Sequence, residues 1–294
     1  MASLTNFTLT PLSGGSNGTV PTTWSNYFDA LRTADIPFAY YVVPVTPSQS
    51  IHAELSAVVT ELSTSGYPLR AVVGGQLGET LQFTLARKAA LYSPRISLLG
   101  DDFLVKMGDG RQYKMPAYIA TAFVVGILSG LPIGTPLTYK QLRILQSLRS
   151  YGSDELENLY TSGVIAVEKV RNLGSASFRF TSDPTTLNND NDPVGSTISL
   201  GEETDFLVND LRAELDNTFI GTRSTATTAA DIKTAVSTFL LVKKNAGIIN
   251  DYDASDIVAS LLGDTVNVTF TVYPARGIKK IIATMNYQTV NQTS

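Results

Sequence analysis

The residues with the clearest potential for chemistry lie near the start of the chain, in the run Gly14-Gly15-Ser16-Asn17-Gly18. This run matches the G-x-S-x-G pattern of a hydrolase nucleophile elbow, and Asp29, Asp35 and His52 follow in an order that a catalytic triad permits. An elbow needs a core strand before the serine and a helix directly after it, whereas here the following residues continue as a loop. The sequence therefore favours a glycine-rich turn, and a hydrolase that uses Ser16 is the weaker alternative.

A second glycine-rich run, Val72 to Gly78, stands between a predicted strand and a predicted helix, where a phosphate-binding loop would lie. It has neither the G-x-G-x-x-G spacing nor a Lys-Ser/Thr pair. A nucleotide-binding enzyme that uses the loop at Gly74 is therefore the weaker hypothesis, and a tight turn is favoured.

Three carboxylates, Asp251, Asp253 and Asp256, suggest a calcium loop, but they lack the glycine and the distal glutamate of an EF-hand. The simpler interpretation is that Asp253 caps a short segment from Asp256 to Leu262. The acidic and amide run from Asn188 to Asp192 is more typical of a solvated loop.

The cationic and imidazole side chains offer little further chemistry. His52, in the first turn of a predicted helix, is interpreted as a surface or capping residue without a metal partner. Lys243 and Lys244 close another predicted helix, where cations interact favourably with the helix dipole. We predict no catalytic, cofactor-binding or metal site.

The composition narrows the class of protein. Cysteine is absent and histidine occurs once, which excludes disulfides, thiolate sites and histidine-rich metal sites. A net charge of -4 without basic clusters argues against nucleic-acid binding. The longest apolar stretch, Ala117 to Leu131, is interrupted by small and polar residues and predicts a buried core helix, so we predict no membrane insertion.

The first half of the chain alternates strand and helix patterns. Strands are predicted at Pro37 to Val45, Leu69 to Val73 and Ile96 to Leu99, and helices at Ile51 to Ser65 and Glu79 to Ala90. This order is typical of βαβ units, in which helices cover a parallel sheet.

The next segments mix both patterns. Phe103 to Met107 and Gln112 to Lys114 flank an Asp-Gly pair and predict a hairpin. Tyr139 to Leu148 has mixed helical character, and Ser153 to Tyr160 predicts a short helix. Further strands are predicted at Gly163 to Val170 and Ser177 to Thr181.

The polar run from Ser182 to Ser199 offers little to bury and is the predicted domain boundary, which separates residues 1–183 from residues 184–294. Amphipathic helices follow at Glu203 to Phe219 and Asp231 to Asn245. Two strand patterns, Val266 to Tyr273 and Ile278 to Tyr287, close the chain. An unpaired apolar edge strand is a hazard unless another chain covers it, so these residues indicate assembly.

Four passages of the chain match, in order, the elements of one known family. Leu12 to Gly18, followed by Ala30-Leu31, resembles the opening "GG-S/T-D/N-G" signature of the contractile tail sheath proteins of myoviruses. Three later passages match family elements in the same order: Met115-Pro116-Ala117 through Gly130-Leu131-Pro132, Leu156 to Leu159 through Gly163-Val164-Ile165, and Phe219-Ile220-Gly221 through Gly247 to Tyr252 and Ile281-Ile282.

The resemblance implies an α/β plus α+β fold. The larger domain would be a subtilisin-like α/β core, with a parallel-type sheet and flanking helices but no working triad, and a smaller α+β C-terminal domain would follow. Family members usually carry an N-terminal arm before the Gly-Gly signature, whereas only Met1 to Pro11 precede it here. This departure predicts a truncated chain or a reduced sheath.

The resemblance also implies a mechanical function without any cofactor. Subunits would stack as hexameric rings of a helical sheath around the tail tube and contract to drive the tube through the host envelope. The implied partners are other copies of the chain, the tail tube protein, and the baseplate and tail terminator proteins of the phage tail. A related bacteriocin or injection machine is the alternative.

Two groups of site residues follow from this resemblance. The strand from Ile278 to Tyr287 is the predicted inter-subunit arm, and Val266 to Tyr273 is among its predicted receiving strands. Lys243 and Lys244 are the predicted tube contact. The arm residues are Ile278, Lys279, Lys280, Ile281, Ile282, Ala283, Thr284, Met285, Asn286 and Tyr287.

Overall fold

The computed structural model describes residues 21, 23–33, 41–171, 176–189, 191–223, 228–262 and 265–277. The chain divides into two compact units, Met1–Asp35 and Ile36–Ser294. The elbow pattern around Ser16 lies outside the described residues, as does Asp35.

Helix α1 (Ser25–Thr33) is the element described in the first unit. Its buried residue is Phe28, whose ring centroid lies 6.1 Å from that of Tyr27 and 6.3 Å from that of Trp24. Three aromatic rings therefore cluster at the start of this helix.

The second unit begins with a parallel sheet, which confirms the predicted βαβ pattern. Strands β1 (Tyr41–Val42), β2 (Arg70–Gly74) and β3 (Ile96–Leu99) pair in that order. Helix α2 (Gln49–Thr64) connects the first two strands, and α3 (Leu81–Leu91) connects the second and third. All residues of β2 and β3 are buried, as expected for parallel strands between covering layers.

An antiparallel hairpin follows, as the Asp-Gly pair predicted. Strand β4 (Phe103–Lys106) pairs with β5 (Gln112–Met115) along their full length. Helix α4 (Ala117–Leu128) then buries one face that includes Ala120 and Val124. Within the described part of the chain, no helix is long and apolar enough to cross a membrane.

The segment from Tyr139 to Leu148 is not helical, and that prediction was wrong. It contains two short strands, β6 (Gln141–Leu142) and β7 (Gln146–Ser147). Strand β7 pairs with β4, whereas β6 joins a different sheet. Backbone pairing with two distant partners outweighs the weak local helix preference.

The remaining elements of this α/β part complete its second antiparallel sheet. Helix α5 (Ser153–Thr161) precedes strands β8 (Val167–Arg171) and β9 (Ala176–Phe180), and the sheet order is β6-β9-β8. One hydrophobic cluster joins this sheet to the parallel sheet and to α4. Its fully buried aromatic side chains are Phe103 and Phe180.

Two long helices and four strands form the C-terminal part of the second unit. Helices α6 (Ile198–Phe219) and α7 (Thr228–Asn245) confirm the predicted pair. Two antiparallel ribbons follow, each with two strands. The first pairs β10 with β13 and the second pairs β11 with β12, and the strands are β10 (Ile249–Tyr252), β11 (Val258–Leu262), β12 (Thr265–Thr269) and β13 (Val272–Pro274).

Two predictions in this part were wrong in detail. The segment from Asp256 to Leu262, for which a helix-type cap at Asp253 was predicted, is instead largely a strand. Its residues from Val258 to Leu262 pair with β12. The predicted strand from Val266 to Tyr273 is interrupted after Thr269, and its two halves belong to different ribbons. Local alternation specified extended backbone but not which neighbour each half would pair with.

The polar run from Ser182 to Ser199 buries more than expected. Thr185 and Thr186 are fully buried, and the Thr186 amide donates to the Ile96 carbonyl at 2.7 Å. A bridge between Pro184 and Thr197 closes the run on itself. The expectation of a segment with little to bury was therefore wrong, and the boundary between residues 183 and 184 stays a prediction.

Helix α6 contributes to two separate hydrophobic clusters. Its first residue, Ile198, belongs to the cluster of the α/β part. Leu207 and Leu211 belong to a second cluster, formed with α7 and the ribbons. One continuous helix thus connects the two cores.

A buried ion pair fastens α6 to the parallel sheet. The Arg70 guanidinium donates to one carboxylate oxygen of Asp205 at 2.9 and 3.1 Å, and Arg95 also donates to that oxygen. The third Arg70 contact is the Pro94 carbonyl, at 3.1 Å. Gly201 allows this approach, because a Cβ there would lie 2.2 Å from an Arg70 nitrogen.

We expect Asp205→Ala to lower the free energy of unfolding by about 3–5 kcal/mol, because it leaves the buried Arg70 without its carboxylate. Urea unfolding measures this change. Glu214→Ala, at an exposed position on the same helix, is the matched control and should change it by less than about 0.5 kcal/mol. Equal effects of the two substitutions would contradict the assigned role of the ion pair.

Candidate assembly surface

An apolar groove of about 420 Å³ lies between α6, α7 and the β11–β12 ribbon. Its lining includes Leu215 and Phe219 of α6 and Ile232 of α7, together with apolar residues of β11 and β12. Ile220, which also lines the groove, is 76% exposed. Exposed apolar surface that gathers in one groove is typical of an interaction site.

The ribbon that borders this groove has one apolar and one polar face. On β12, Val266 and Val268 are partly buried against the second hydrophobic cluster, whereas Thr265, Asn267 and Thr269 are exposed. On β11, Leu261 lines the groove and is 38% exposed. The ribbon is therefore a half-covered sheet, and its apolar face is incompletely buried by this chain.

Both ribbons present open edges for further strands. Among the described residues, β11 pairs only with β12, and β10 pairs only with β13. A two-stranded ribbon leaves the outer backbone groups of both its strands without ladder partners. Sequence reasoning recognised the alternation in β12 but missed the groove, because the groove depends on how α6 and α7 pack.

The two lysines at the end of α7 form ion pairs within the chain. Lys243 pairs with Asp210 and lies over the rings of Phe206 and Phe239. Lys244 pairs with Asp251 at 2.7 Å. The predicted tube contact is not tested by these pairs and stays a prediction. The predicted arm, Ile278 to Tyr287, lies outside the described residues.

The other carboxylates of the suspected calcium loop are also used locally. Asp253 accepts hydrogen bonds from the Ser255 amide at 2.8 Å and from its hydroxyl at 2.6 Å, and these bonds lower the pKa of Asp253. No cluster of metal-ligating side chains is found in the described part of the chain.

The carboxyl edge of the parallel sheet is where an α/β enzyme would place its site. Here it holds two buried aspartates directly after β3. Asp102 accepts from the Ala117 amide at 2.7 Å, at the start of α4, and from the Gly78 amide at 2.9 Å. Asp101 accepts from the Val167 amide at 2.6 Å, and burial raises its pKa to about 7. These carboxylates satisfy backbone donors that a bound anion would otherwise use.

The glycine run at the end of β2 also serves internal packing. A Cβ on Gly74 would lie 2.4 Å from the Ala117 backbone, and one on Gly75 would lie 2.5 Å from the Glu79 carboxylate. The prediction of a tight turn is thereby refined, because these glycines allow α4 and Glu79 to approach the end of β2.

His52 is fully buried, so the prediction of a surface or capping residue was wrong. Its Nε2 atom lies 2.8 Å from the Thr46 carbonyl, and its Nδ1 atom lies 3.3 Å from an Arg87 nitrogen. Arg87 in turn forms a two-point ion pair with Glu79, at 2.7 and 3.1 Å. Helical spacing placed His52 on the same face as Leu55 and Leu62, which is the signal that could have indicated its burial.

Burial, together with the nearby Arg87 charge, lowers the pKa of His52 to about 4. A neutral imidazole fits the geometry, since Nε2–H donates to Thr46 and Nδ1 accepts from Arg87. The ring therefore fastens the start of α2 to α3 as an uncharged group.

The chain is similar in sequence to proteins named as tail sheath proteins, although no protein-family model matches it. The putative tail sheath protein of Enterococcus phage phiEF24C is 40% identical over 96% of this chain and 49% of that protein. The tail sheath protein of Staphylococcus phage Twort is 39% identical over 96% and 48%, respectively. The chain spans about half the length of the curated relatives it matches. The predicted resemblance is confirmed.

Solved structures share the mixed helix and strand fold. The sheath tail protein of Desulfitobacterium hafniense matches with a TM-score of 0.73 at 17% identity, covering 91% of this chain and 60% of that one. The sheath complex of an extracellular contractile injection system, in the contracted state, matches with a TM-score of 0.65 at 12% identity, covering 89% and 74%. At these identities the likeness concerns the fold.

We expect His52 to titrate near pH 4, well below its ordinary value of 6.5. It is the single histidine of the chain, so its imidazole proton resonance can be followed by NMR without assignment of others. A titration midpoint near 6.5 would contradict the buried, neutral imidazole.

The same shift predicts a loss of stability in acid. Below pH 6.5 the unfolded chain binds a proton at His52 that the folded chain does not bind. The contribution of His52 to the free energy of unfolding therefore falls as the pH drops toward 4, by roughly 3 kcal/mol in total. Because the raised pKa of Asp101 acts in the opposite direction, the check is the difference between the unfolding profiles of the parent and His52→Gln. Parallel profiles would refute the prediction.

Proposed function

We propose that this chain is a structural part of a contractile phage tail sheath, which polymerises around the tail tube and contracts to drive the tube through the host envelope during genome delivery. The observation that carries the proposal is the 40% identity to a phage tail sheath protein over 96% of the chain. The open ribbon edges and the apolar groove supply surfaces suited to assembly. The protein is proposed to be structural, not catalytic, and located in the virion tail.

A phage tail is favoured over an injection machine. The sequence relatives come from phages and are 28–40% identical, whereas the structures of the anti-feeding prophage and of the extracellular injection system are 11–13% identical. The identity to the phage proteins indicates a likeness beyond the fold, whereas the identity to these solved structures indicates a likeness in fold alone.

The proposed attachment between subunits is strand addition. A strand that pairs with an open edge gains backbone hydrogen bonds along its length, while the residues that link it to its own body absorb rotation. The residues from Ile278 to Tyr287 are the proposed donor strand, and the β11–β12 ribbon of a neighbouring copy is the proposed acceptor. The free energy of contraction would come from better interfaces in the contracted state, without nucleotide hydrolysis.

The proposed partners are other copies of the chain in hexameric rings, the tail tube, the baseplate and the tail terminator. Lys243 and Lys244 stay the proposed tube contact. Lys244 is the better placed of the two, because its side chain is 40% exposed and that of Lys243 is 14% exposed. A tube carboxylate would have to replace Asp251 as the partner of Lys244.

We also propose that the α/β part has a subtilisin-like, non-catalytic core and that a separate C-terminal domain follows it. The parallel β1-β2-β3 sheet with its covering helices supports the first proposal. The two hydrophobic clusters support the second, since Ile198 of α6 belongs to one cluster and Leu207 of the same helix belongs to the other.

We expect the chain of residues 1–294 to form hollow tubes under negative stain, and deletion of residues 278–294 to leave a folded subunit that does not assemble. Loss of the donor strand removes the backbone pairing but leaves both hydrophobic clusters intact. Circular dichroism establishes folding, and microscopy scores tubes. Unchanged tubes from the deleted chain would refute the arm.

The groove has its own test. Ile220→Asp places a charge on the exposed apolar rim of the groove and should abolish tubes while leaving the melting temperature unchanged, because Ile220 lines the groove and is 76% exposed in the single chain. Asn267→Asp adds the same charge to the exposed polar face of the ribbon and should still assemble. If both variants formed tubes equally well, the groove would not be an assembly surface.

A further inference from the structure

The chain returns from the C-terminal ribbons to the α/β part immediately after β13. We call residues 274–277 the strap. Its first residue, Pro274, pairs with β10 in the ribbon. Its last residue, Gly277, packs on Pro136 in the loop after α4, since a Cβ on Gly277 would lie 2.3 Å from a Pro136 ring carbon. The strap therefore spans the same two regions that α6 connects.

A buried glutamate holds the middle of the strap. Glu203, on the first half of α6, is 4% exposed, and its carboxylate accepts a hydrogen bond from the Ala275 amide. The carboxylate also lies against the loop that contains Pro136, because a Cβ on Gly134 would be 3.4 Å from Glu203 Oε2. One side chain thus contacts both the strap and the loop on which the strap rests.

The strap is attached at points and is not packed along its length. A cavity of about 240 Å³ separates part of it from the α/β surface, and Arg276 and Gly277 line that cavity together with Pro136 and Leu200. Arg276 itself is exposed. The hydrogen bond from Ala275 to Glu203 and the contact of Gly277 with Pro136 therefore hold the strap on either side of Arg276.

The charge at Glu203 is stabilised by the strap itself. Burial raises the pKa of Glu203 to about 7, whereas the hydrogen bond from the Ala275 amide acts in the opposite direction. The neighbouring Glu202 makes a different contact, accepting a hydrogen bond from the Tyr41 hydroxyl. Within this pair of glutamates, Glu203 is the one that serves the strap.

We propose that the strap is a second, releasable tie between the α/β part and the C-terminal ribbons, locked by Glu203, and that it fixes the α/β surface as the point from which the chain continues after Gly277. Helix α6 is the permanent connection, because it is continuous and anchored by a buried ion pair. The strap adds restraint that one hydrogen bond can release. This inference concerns the single chain in solution and does not depend on sheath assembly.

The test is amide hydrogen exchange of the peptide that covers residues 273–277, with tryptic cleavage after Arg276 as a second readout. We expect Glu203→Ala to accelerate both by about tenfold or more, because the Ala275 amide loses a charged acceptor. Glu203→Gln keeps an acceptor oxygen and should stay close to the parent. Glu214→Ala, at an exposed position on the same helix, is the control. Equal rates in Glu203→Ala and the parent would overturn the proposal.

A second variant changes the other contact of the strap, the one with Pro136. It keeps the proposal testable if Glu203→Ala does not fold. Gly277→Ala forces the strap away from Pro136 without altering α6, and should accelerate exchange at residues 273–277 while the two hydrophobic clusters keep their protection. Gly126→Ala, where a Cβ meets no atom within 4 Å, is the matched control. If Gly277→Ala left exchange unchanged, the contact with Pro136 would not hold the strap and the proposal would fail.

Discussion

Burial of the Asp205 carboxylate between Arg70 and Arg95 is the constraint on which the arrangement of the second unit depends. Arg70 begins the central parallel strand, Arg95 directly precedes the next strand, and Asp205 lies on the helix that enters the second core. A buried charge is tolerated only with its partners, so these three groups fix the position of α6 on the sheet. Because α6 continues into the second cluster, the same interaction determines where α7 and the ribbons are held.

The carboxyl edge of the parallel sheet illustrates how an α/β architecture can use its strand ends for internal packing. At this edge, strand ends and helix starts leave backbone amides that often bind anionic ligands. In this chain, Asp102 accepts from two such amides, and Glu79 occupies the glycine turn together with Arg87. The backbone amides that bind a substrate in many α/β enzymes are therefore bound here by side chains of the same chain. This use suits the proposed mechanical role, since it joins loops and helices rigidly.

The C-terminal part differs, because some of its strand edges and part of its apolar surface have no partner among the described residues. Its helices bury one hydrophobic cluster, yet within the described part of the chain the ribbon edges have no further strand partners and an apolar groove is partly uncovered. A chain that functions alone would pay a solubility penalty for such a surface. In the proposed sheath, neighbouring copies would supply the missing strands and apolar contacts and so remove that penalty. Rigid internal packing and incomplete external pairing are both suited to the proposed role of a sheath subunit.

Much of the local structure was predictable because it depends on near neighbours in the chain. The βαβ order, the hairpin at Asp109-Gly110 and the two C-terminal helices follow from spacing and turn residues. The errors arose where distant partners decided the outcome. The segment from Tyr139 to Leu148 became two strands because β4 and β9 offered backbone pairing, and the pattern from Val266 to Tyr273 was divided between two ribbons.

The sequence by itself determined the mixed order of helices and strands, the absence of cysteine chemistry and the motifs that resemble sheath proteins, since these depend on residue type and order alone. Only the tertiary structure decided the burial of His52, the ion pair at Asp205, the groove beside β12 and the strap at Glu203. Each of these joins residues far apart in the chain. Their energies come from desolvation and from paired charges, and local sequence patterns do not encode which distant surface will exclude the water.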